Sequence, residues 1–358
     1  MNLRKIGCDP GFGGVKVAEV RRSVDGPGDA IETHVVPSVV GVGSTEVGAL
    51  NLAGVVRGKR QESPSLVAFD GVEYLVGPNV ARYARPIERM DFARFTDGPE
   101  LRALLYAALY QLLDGGGHQV ALAMGLPVEV LQDRDQARTT ERAMAKWMVG
   151  FHQFTLDGIE AQFEIVTIRA KIAQPVATWF DWGLDLQGQW CKGKDAAKAP
   201  CLVIDQGFNT LDLLVVEGGQ ISTRYTSGDT LGMRRAAEMA AGNIRRRYGV
   251  ELSLHEADAL VEQVVAGRKV GVYVTGELTD VSAEVRQALN SLGADVVRFV
   301  ERNVGTGRRF RVLLTGGGAL ALAGRLIQQY EHAEVMMEPV LANARGLAKL
   351  AVREGFLE

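Results

Sequence analysis

Cysteine is scarce: Cys8, Cys191 and Cys201 are the whole complement in 358 residues. An odd, scattered set without metal-ligand spacing excludes a disulfide framework and a zinc motif, so buried reduced thiols are expected. No run of about eighteen apolar residues occurs, which removes any membrane helix from consideration. The opening MNLRKIGCDP enters a strand without an apolar signal region, and a cytoplasmic protein with no membrane partner is expected. Surplus positive charge is missing too. A formal net charge of −3 and a sequence pI near 6.1 argue against a broad nucleic-acid surface, so no direct nucleic-acid contact is expected. Short-period repeats are absent as well. What remains is an ordinary globular composition in a chain longer than one core usually serves, which implies two domains.

The stretch Cys201 to Val216, CLVIDQGFNTLDLLVV, joins two apolar, β-rich segments through a turn holding an acid, a glycine, an asparagine and a threonine. It is expected to be a strand, a tight loop and a returning antiparallel strand, with Gly207 letting the backbone turn. Near the start, KIGCDPGFGGVKVAEV repeats the plan with Asp9, Gly11, Gly13, Gly14 and then Lys16 in the second strand. Each loop pairs a strand-end acid with a glycine two residues on. Facing hairpins of this kind clamp a polyphosphate with backbone amides while Asp9 and Asp205 serve a hydrated cation. A third cluster, LLTGGGALAL from Leu313 to Leu322, follows an apolar strand, and there a backbone can approach a flat ligand. Taken singly, each is ordinary turn chemistry.

Together and in this order, the motifs resemble those of the actin, Hsp70 and sugar-kinase superfamily, and within it the ParM-type actins of bacteria and archaea. Asp9, Gly11, Phe12, Gly13 and Lys16 stand at the first phosphate loop; Asp205, Gly207, Asn209, Thr210 and Asp212 stand at the second. Gly316, Gly317 and Gly318 match the adenosine-side loop. Gln174 to Thr178 (QPVAT) and Asn343 to Gly346 (NARG) resemble the two interdomain connections. The resemblance implies an α/β, ribonuclease H-like duplicated two-domain fold with nucleotide in the interdomain cleft. Domain I is expected at 1–172 plus 340–358, with an inserted subdomain IB at about 41–91. Domain II is expected at 173–339, with a helical subdomain IIB at about 228–309.

Along the chain, Pro99 to Leu113 has helical apolar spacing with Pro99 at its start and glycines at 115–117 beyond its end. Residues 133–150 form a polar helix, 151–172 a hairpin, and a helix from Gln174 carries Trp179, Phe180 and Trp182, an aromatic group assigned to core packing. Gly228, Asp229 and Thr230 precede a long helix that Asp229 or Thr230 is expected to cap, with amides facing nucleotide. The Arg245, Arg246, Arg247 run on that helix is assigned to a solvated face.

The resemblance implies an ATPase, with ATP or GTP and Mg2+ as cofactors, coupled to homopolymer filaments in plasmid or DNA segregation through an adaptor protein. Phosphoryl transfer to water needs positioning and charge neutralisation. Lys16 is expected to supply charge and Asp9 and Asp205 to hold magnesium through its waters, and the resemblance implies that Gln174 orients the attacking water. A solvated strand residue is the plain reading of Lys16, a helix-start residue that of Gln174. Thr210 bonds either phosphate or its own turn, and no serine in the first loop offers a hydroxyl to a γ-phosphate. A small-molecule kinase of the same superfamily, with Asp205 as base, and a monomeric nucleotide-gated binding protein are the alternatives.

Overall fold

A computed structural model describes residues 3–22, 28–44, 62–115 and 117–357. The chain divides into two compact units: Met1–Met124, Arg134–Lys171 and Leu347–Glu358 form unit 1, and Gly125–Asp133 with Ile172–Gly346 form unit 2. Relative to the division read from sequence, Gly125–Asp133, Ile172 and residues 340–346 go with unit 2.

Unit 1 opens with strands β1 (Arg4–Pro10), β2 (Gly14–Arg21), β3 (Ala30–Pro37), β4 (Val40–Val42), β5 (Ser65–Phe69) and β6 (Val72–Val76). Helices α1 (Arg94–Asp97) and α2 (Pro99–Leu112) and strand β7 (His118–Leu126) follow. After α3 (Val128–Gln132), which belongs to unit 2, the chain returns as α4 (Arg134–Met148), β8 (Gly150–Leu156) and β9 (Ile159–Ala173). One sheet runs β3-β2-β1-β7-β9-β8-β5-β6-β4. The strands of the expected insert therefore extend the main sheet, through the β5–β8 register Val67↔Leu156. Residues 45–61 of that insert lie outside the described residues.

Helix α2 is apolar on nearly every face and is buried accordingly. Its Tyr106 ring stacks on Phe154 with centroids 4.5 Å apart. The phenol satisfies its oxygen against Arg102 Nε at 2.7 Å and His152 Nδ1 at 2.8 Å. Asp157 and Gly158, both at positive φ, make the two-residue turn that joins β8 to β9.

Unit 2 continues with α5 (Gln174–Gly183), α6 (Lys194–Lys198), β10 (Cys201–Gln206), β11 (Leu211–Glu217), β12 (Gln220–Ile221) and β13 (Ser227–Asp229). Then come α7 (Met233–Tyr248), α8 (Leu254–Val265), β14 (Gly271–Val274), β15 (Glu277–Asp280) and α9 (Ser282–Val304). β16 (Arg311–Thr315), α10 (Ala319–Gln329), β17 (Ala333–Val335) and α11 (Ala342–Ala351) complete it, the last helix ending in unit 1. The sheet order is β12-β11-β10-β16-β17. β10 is buried on both faces: Leu202 and Ile204 enter a core with α7, α8 and α9, whereas Cys201 and Val203 enter one with Val176 and Trp182 of α5. That explains its unbroken apolar run.

The duplication is visible in the pairing. β1 pairs antiparallel with β2 and parallel with β7; β10 pairs antiparallel with β11 and parallel with β16. Trp182 is core, as assigned, and Arg245, Arg246 and Arg247 are exposed. One expectation fails and one element was not foreseen. Cys191 is an exposed thiol, because its polar loop runs over the surface, whereas Cys8 and Cys201 are buried. The hairpin β14–β15 is absent from the sequence reading; it turns through Thr275 and Gly276, both at positive φ.

Candidate functional site

In unit 1 the register sets Asp9 opposite Lys16, and Lys16 Nζ lies 3.2 Å from Asp9 Oδ2, with Asp9 buried and Lys16 half-buried. Gly11 occupies the space below them: a Cβ there would stand 2.6 Å from Lys16 Nζ and 3.0 Å from the Gly14 carbonyl oxygen. Ser38, just beyond β3, braces the loop by donating from Oγ to the Gly11 carbonyl at 2.8 Å and from its amide to the Gly13 carbonyl at 3.2 Å. The Phe12 side chain is buried between Phe92 and Phe95, with the Arg94 guanidinium 4.9 Å above its ring. Only its backbone is left for a ligand.

In unit 2, Asp205 and Asp212 are cross-strand partners in β10–β11, and both are buried. Gly207 closes the hairpin by donating its amide to the Thr210 carbonyl at 2.9 Å. The Thr210 hydroxyl donates to Asp212 Oδ2 at 3.0 Å, so it serves its own turn. The capping of α7 corrects the sequence reading. Its N-cap is Gly232, with no side-chain cap from Thr230 or Asp229, because both precede the helix start. The amides of Gly232, Met233 and Arg234 donate to the carbonyls of Asn209, Gly207 and Phe208 at 3.3, 3.1 and 2.8 Å. Those three helix-start donors are thus spent on the loop. Gly232 is required here, since a Cβ would fall 2.2 Å from the Phe208 carbonyl oxygen.

Gly228 and Asp229 lie in β13, opposite Asp212 and Leu211. A Cβ on Gly228 would meet Asp212 Oδ1 at 2.8 Å and Glu129 Cγ at 3.0 Å. Burial, then the neighbouring Asp205 and Glu129 charges, push the Asp212 carboxyl up to about 8. Burial and Asp229 likewise raise Glu129. Glu129 was not singled out in the sequence because α3 reaches this corner only through the fold.

The glycine triplet divides its labour. Cβ atoms on Gly316 and Gly318 would collide with the Gln206 carbonyl oxygen at 2.3 Å and Gln206 Cγ at 2.6 Å, so these two serve close packing on β10. Gly317 is exposed, with only a Val340 methyl at 3.9 Å, and is the one open to a ligand. The two connection motifs meet the second loop through buried hydrogen bonds. Thr178 Oγ1 donates to Asn343 Oδ1 at 2.7 Å, and Asn343 Nδ2 donates to Asp205 Oδ2 at 2.8 Å. Arg345 grips Asp181 through Nε at 3.0 Å and Nη2 at 2.7 Å. Gln174, the first residue of α5, is buried.

Each loop, within its own unit, has the chemistry of a phosphate loop. The loops are glycine-crowded where a Cβ has no room, and Asp9 and Asp205 are hard oxygen donors of the type magnesium accepts through water. Among the described residues no cluster of three His, Cys, Asp or Glu side chains holds a metal directly, and no helix is long and apolar enough to cross a membrane.

Residues 7–176 match the family model for the N-terminal domain of actin-like proteins, and residues 203–328 match that for the C-terminal domain of the archaeal MreB-like actin homologue. Between them these models take in well over half the chain, which belongs to the actin-like proteins. Solved structures agree in fold. A 15-stranded ParM filament from Clostridium botulinum gives a TM-score of 0.71 at 18% identity, covering 98% of this chain and 99% of that one. An archaeal actin homologue in complex with ADP gives 0.67 at 16%, covering 97% and 98%. Bacillus thuringiensis ParM with ATP gives 0.62 at 13%, also covering 97% and 98%. No curated protein matches the chain by sequence.

Proposed function

We propose that this protein is a nucleotide-dependent, filament-forming ATPase. The observation that carries the reading is the repeated hairpin: an acid and a glycine at the same step of topologically equivalent strand pairs, β1–β2 and β10–β11. The ADP and ATP complexes and the filament among structures of the same fold support it. Each hairpin is read as a phosphate loop of its own unit. Lys16 lies against the phosphates, Asp9 and Asp205 hold magnesium through water, and Gln174 orients the water that attacks the γ-phosphorus. Magnesium, when bound, neutralises charge developing on the phosphoryl oxygens. Gly317 offers its backbone on the nucleoside side. Subunits associate head to tail through a heterologous contact that does not close. The role that follows is cytoplasmic DNA or plasmid segregation, with DNA joined through an adaptor protein.

Light scattering of the purified protein with ATP and magnesium tests this, with electron microscopy of the same samples. A rise that depends on nucleotide, with filaments in the images, is the expected result. Turnover stimulated by a small hydroxyl-bearing substrate, without polymer, would point to a kinase and overturn the proposal.

A further inference from the structure

Arg94 is nearly fully buried, with 3% of its surface exposed, yet its Nε and Nη2 have no hydrogen-bond partner among the described residues. Buried polar atoms in that state are rare and call for a physical reason. What the guanidinium does have is the Phe12 ring, 4.9 Å below it. Phe12 is the side chain of the first phosphate loop, flanked by the Gly11 and Gly13 carbonyls that Ser38 holds. Burial lowers the Arg94 guanidinium to about 10, with the Glu100 charge opposing, so it stays protonated at neutral pH.

A matching anomaly sits six residues on. Glu100 is buried, and among the described residues its Oε1 accepts no hydrogen bond, the nearest ion-pair partner being Arg89 at 3.8 Å. Two buried opposite charges each lack bonds the other can supply. With the guanidinium on Phe12, Arg94 Nε and Nη2 and Glu100 Oε1 are all left without a hydrogen bond among the described residues. A guanidinium with two candidate partners, the ring and the carboxylate, is biased by whatever moves Phe12.

We propose that Arg94 is a positioning residue of the first phosphate loop, with two resting places, the Phe12 ring and the Glu100 carboxylate, and that nucleotide in the loop selects between them through Phe12. This rests on the nucleotide reading above. A reporter is built in: Trp147 Nε1 donates to the Phe95 carbonyl at 3.1 Å, and Phe95 packs edge-on against Phe12.

Full-length protein is titrated with ATP and magnesium while tryptophan emission and hydrolysis are followed. ATP is expected to change the emission, and Trp147→Phe to remove that change. Arg94→Met is expected to abolish the Trp147 response and lower kcat by about tenfold while the dissociation constant for ATP moves less than about threefold. Arg94→Lys is expected to restore part of both. Glu100→Gln keeps the shape and removes the charge, so it serves if Arg94→Met fails to fold; the same split is expected. Parental kcat and an intact Trp147 response in Glu100→Gln or Arg94→Met overturn the inference alone. Failure of the parental protein to bind ATP takes down the nucleotide reading, and this inference with it.

Discussion

Asn343 donates its amide to the Asp205 carboxylate at 2.8 Å across 138 positions of sequence. The bond ties the NARG segment at the start of α11 to the acid of the second hairpin, and Thr178 of α5 accompanies it. The acid expected to serve magnesium is therefore oriented by both connection motifs. Asn343→Ala removes the donor and is expected to cost about 1–3 kcal/mol of stability, read by chemical denaturation, and to lower hydrolysis more than ATP binding. A variant with parental stability and rate would show the bond to be idle.

Loss of Asp205 and loss of Gln174 are expected to separate. Asp205→Ala abolishes hydrolysis. Gln174→Ala slows it by about a hundredfold, in the range typical of a positioned proton-transfer or water-orienting group, with ATP affinity nearly unchanged. Single-turnover hydrolysis beside equilibrium binding measures both. Parental hydrolysis by Gln174→Ala refutes the water-orienting role.

Asp212 makes stability fall with rising pH. Its carboxyl is raised from 3.8 to about 8, so between those values the folded state holds a proton the unfolded state has lost, and stability declines until pH passes about 8. Asp212→Asn removes that dependence. Melting temperature of the nucleotide-free variant is expected to fall less between pH 5 and pH 9 (roughly the span of the shift) than that of the parent. Parallel curves would contradict the assignment.

His152 acts at the other end of the scale. Burial holds its imidazole below the ordinary 6.5, between the Tyr106 hydroxyl and the Met148 carbonyl. The unfolded state takes up a proton as pH drops through about 6.5 while the folded state resists, so stability is lost on the acid side. His152→Gln flattens that limb in the same melting series; an unchanged acid limb counts against it.

Gly346 is a packing glycine. A Cβ there would lie 1.7 Å from the Ala177 carbonyl oxygen, where α11 crosses α5. Gly346→Ala is expected to destabilise by about 3 kcal/mol, the upper range for overpacking. A denaturation midpoint equal to the parent's would show that the helices separate at little cost.

Much of the fold was legible because its signals are local. Asp9 to Lys16 and Asp205 to Asp212 specify strand, turn and strand from residues within one hairpin. The β14–β15 turn was equally local and was missed, because Thr275 and Gly276 follow a short strand without strong alternation.

The sequence by itself determined where the turns fall and which acids and glycines stand in them, since spacing along one chain settles backbone reach. Tertiary structure alone decided how those groups are used. Met233 gives its amide to Gly207 rather than to a ligand, Gly316 packs on Gln206 while Gly317 stays open, Arg94 settles on Phe12, and Asn343 finds Asp205. Each of these outcomes depends on hydrogen bonds or close approaches between residues that are brought together only when sheet and helices pack, and periodicity carries no record of such meetings.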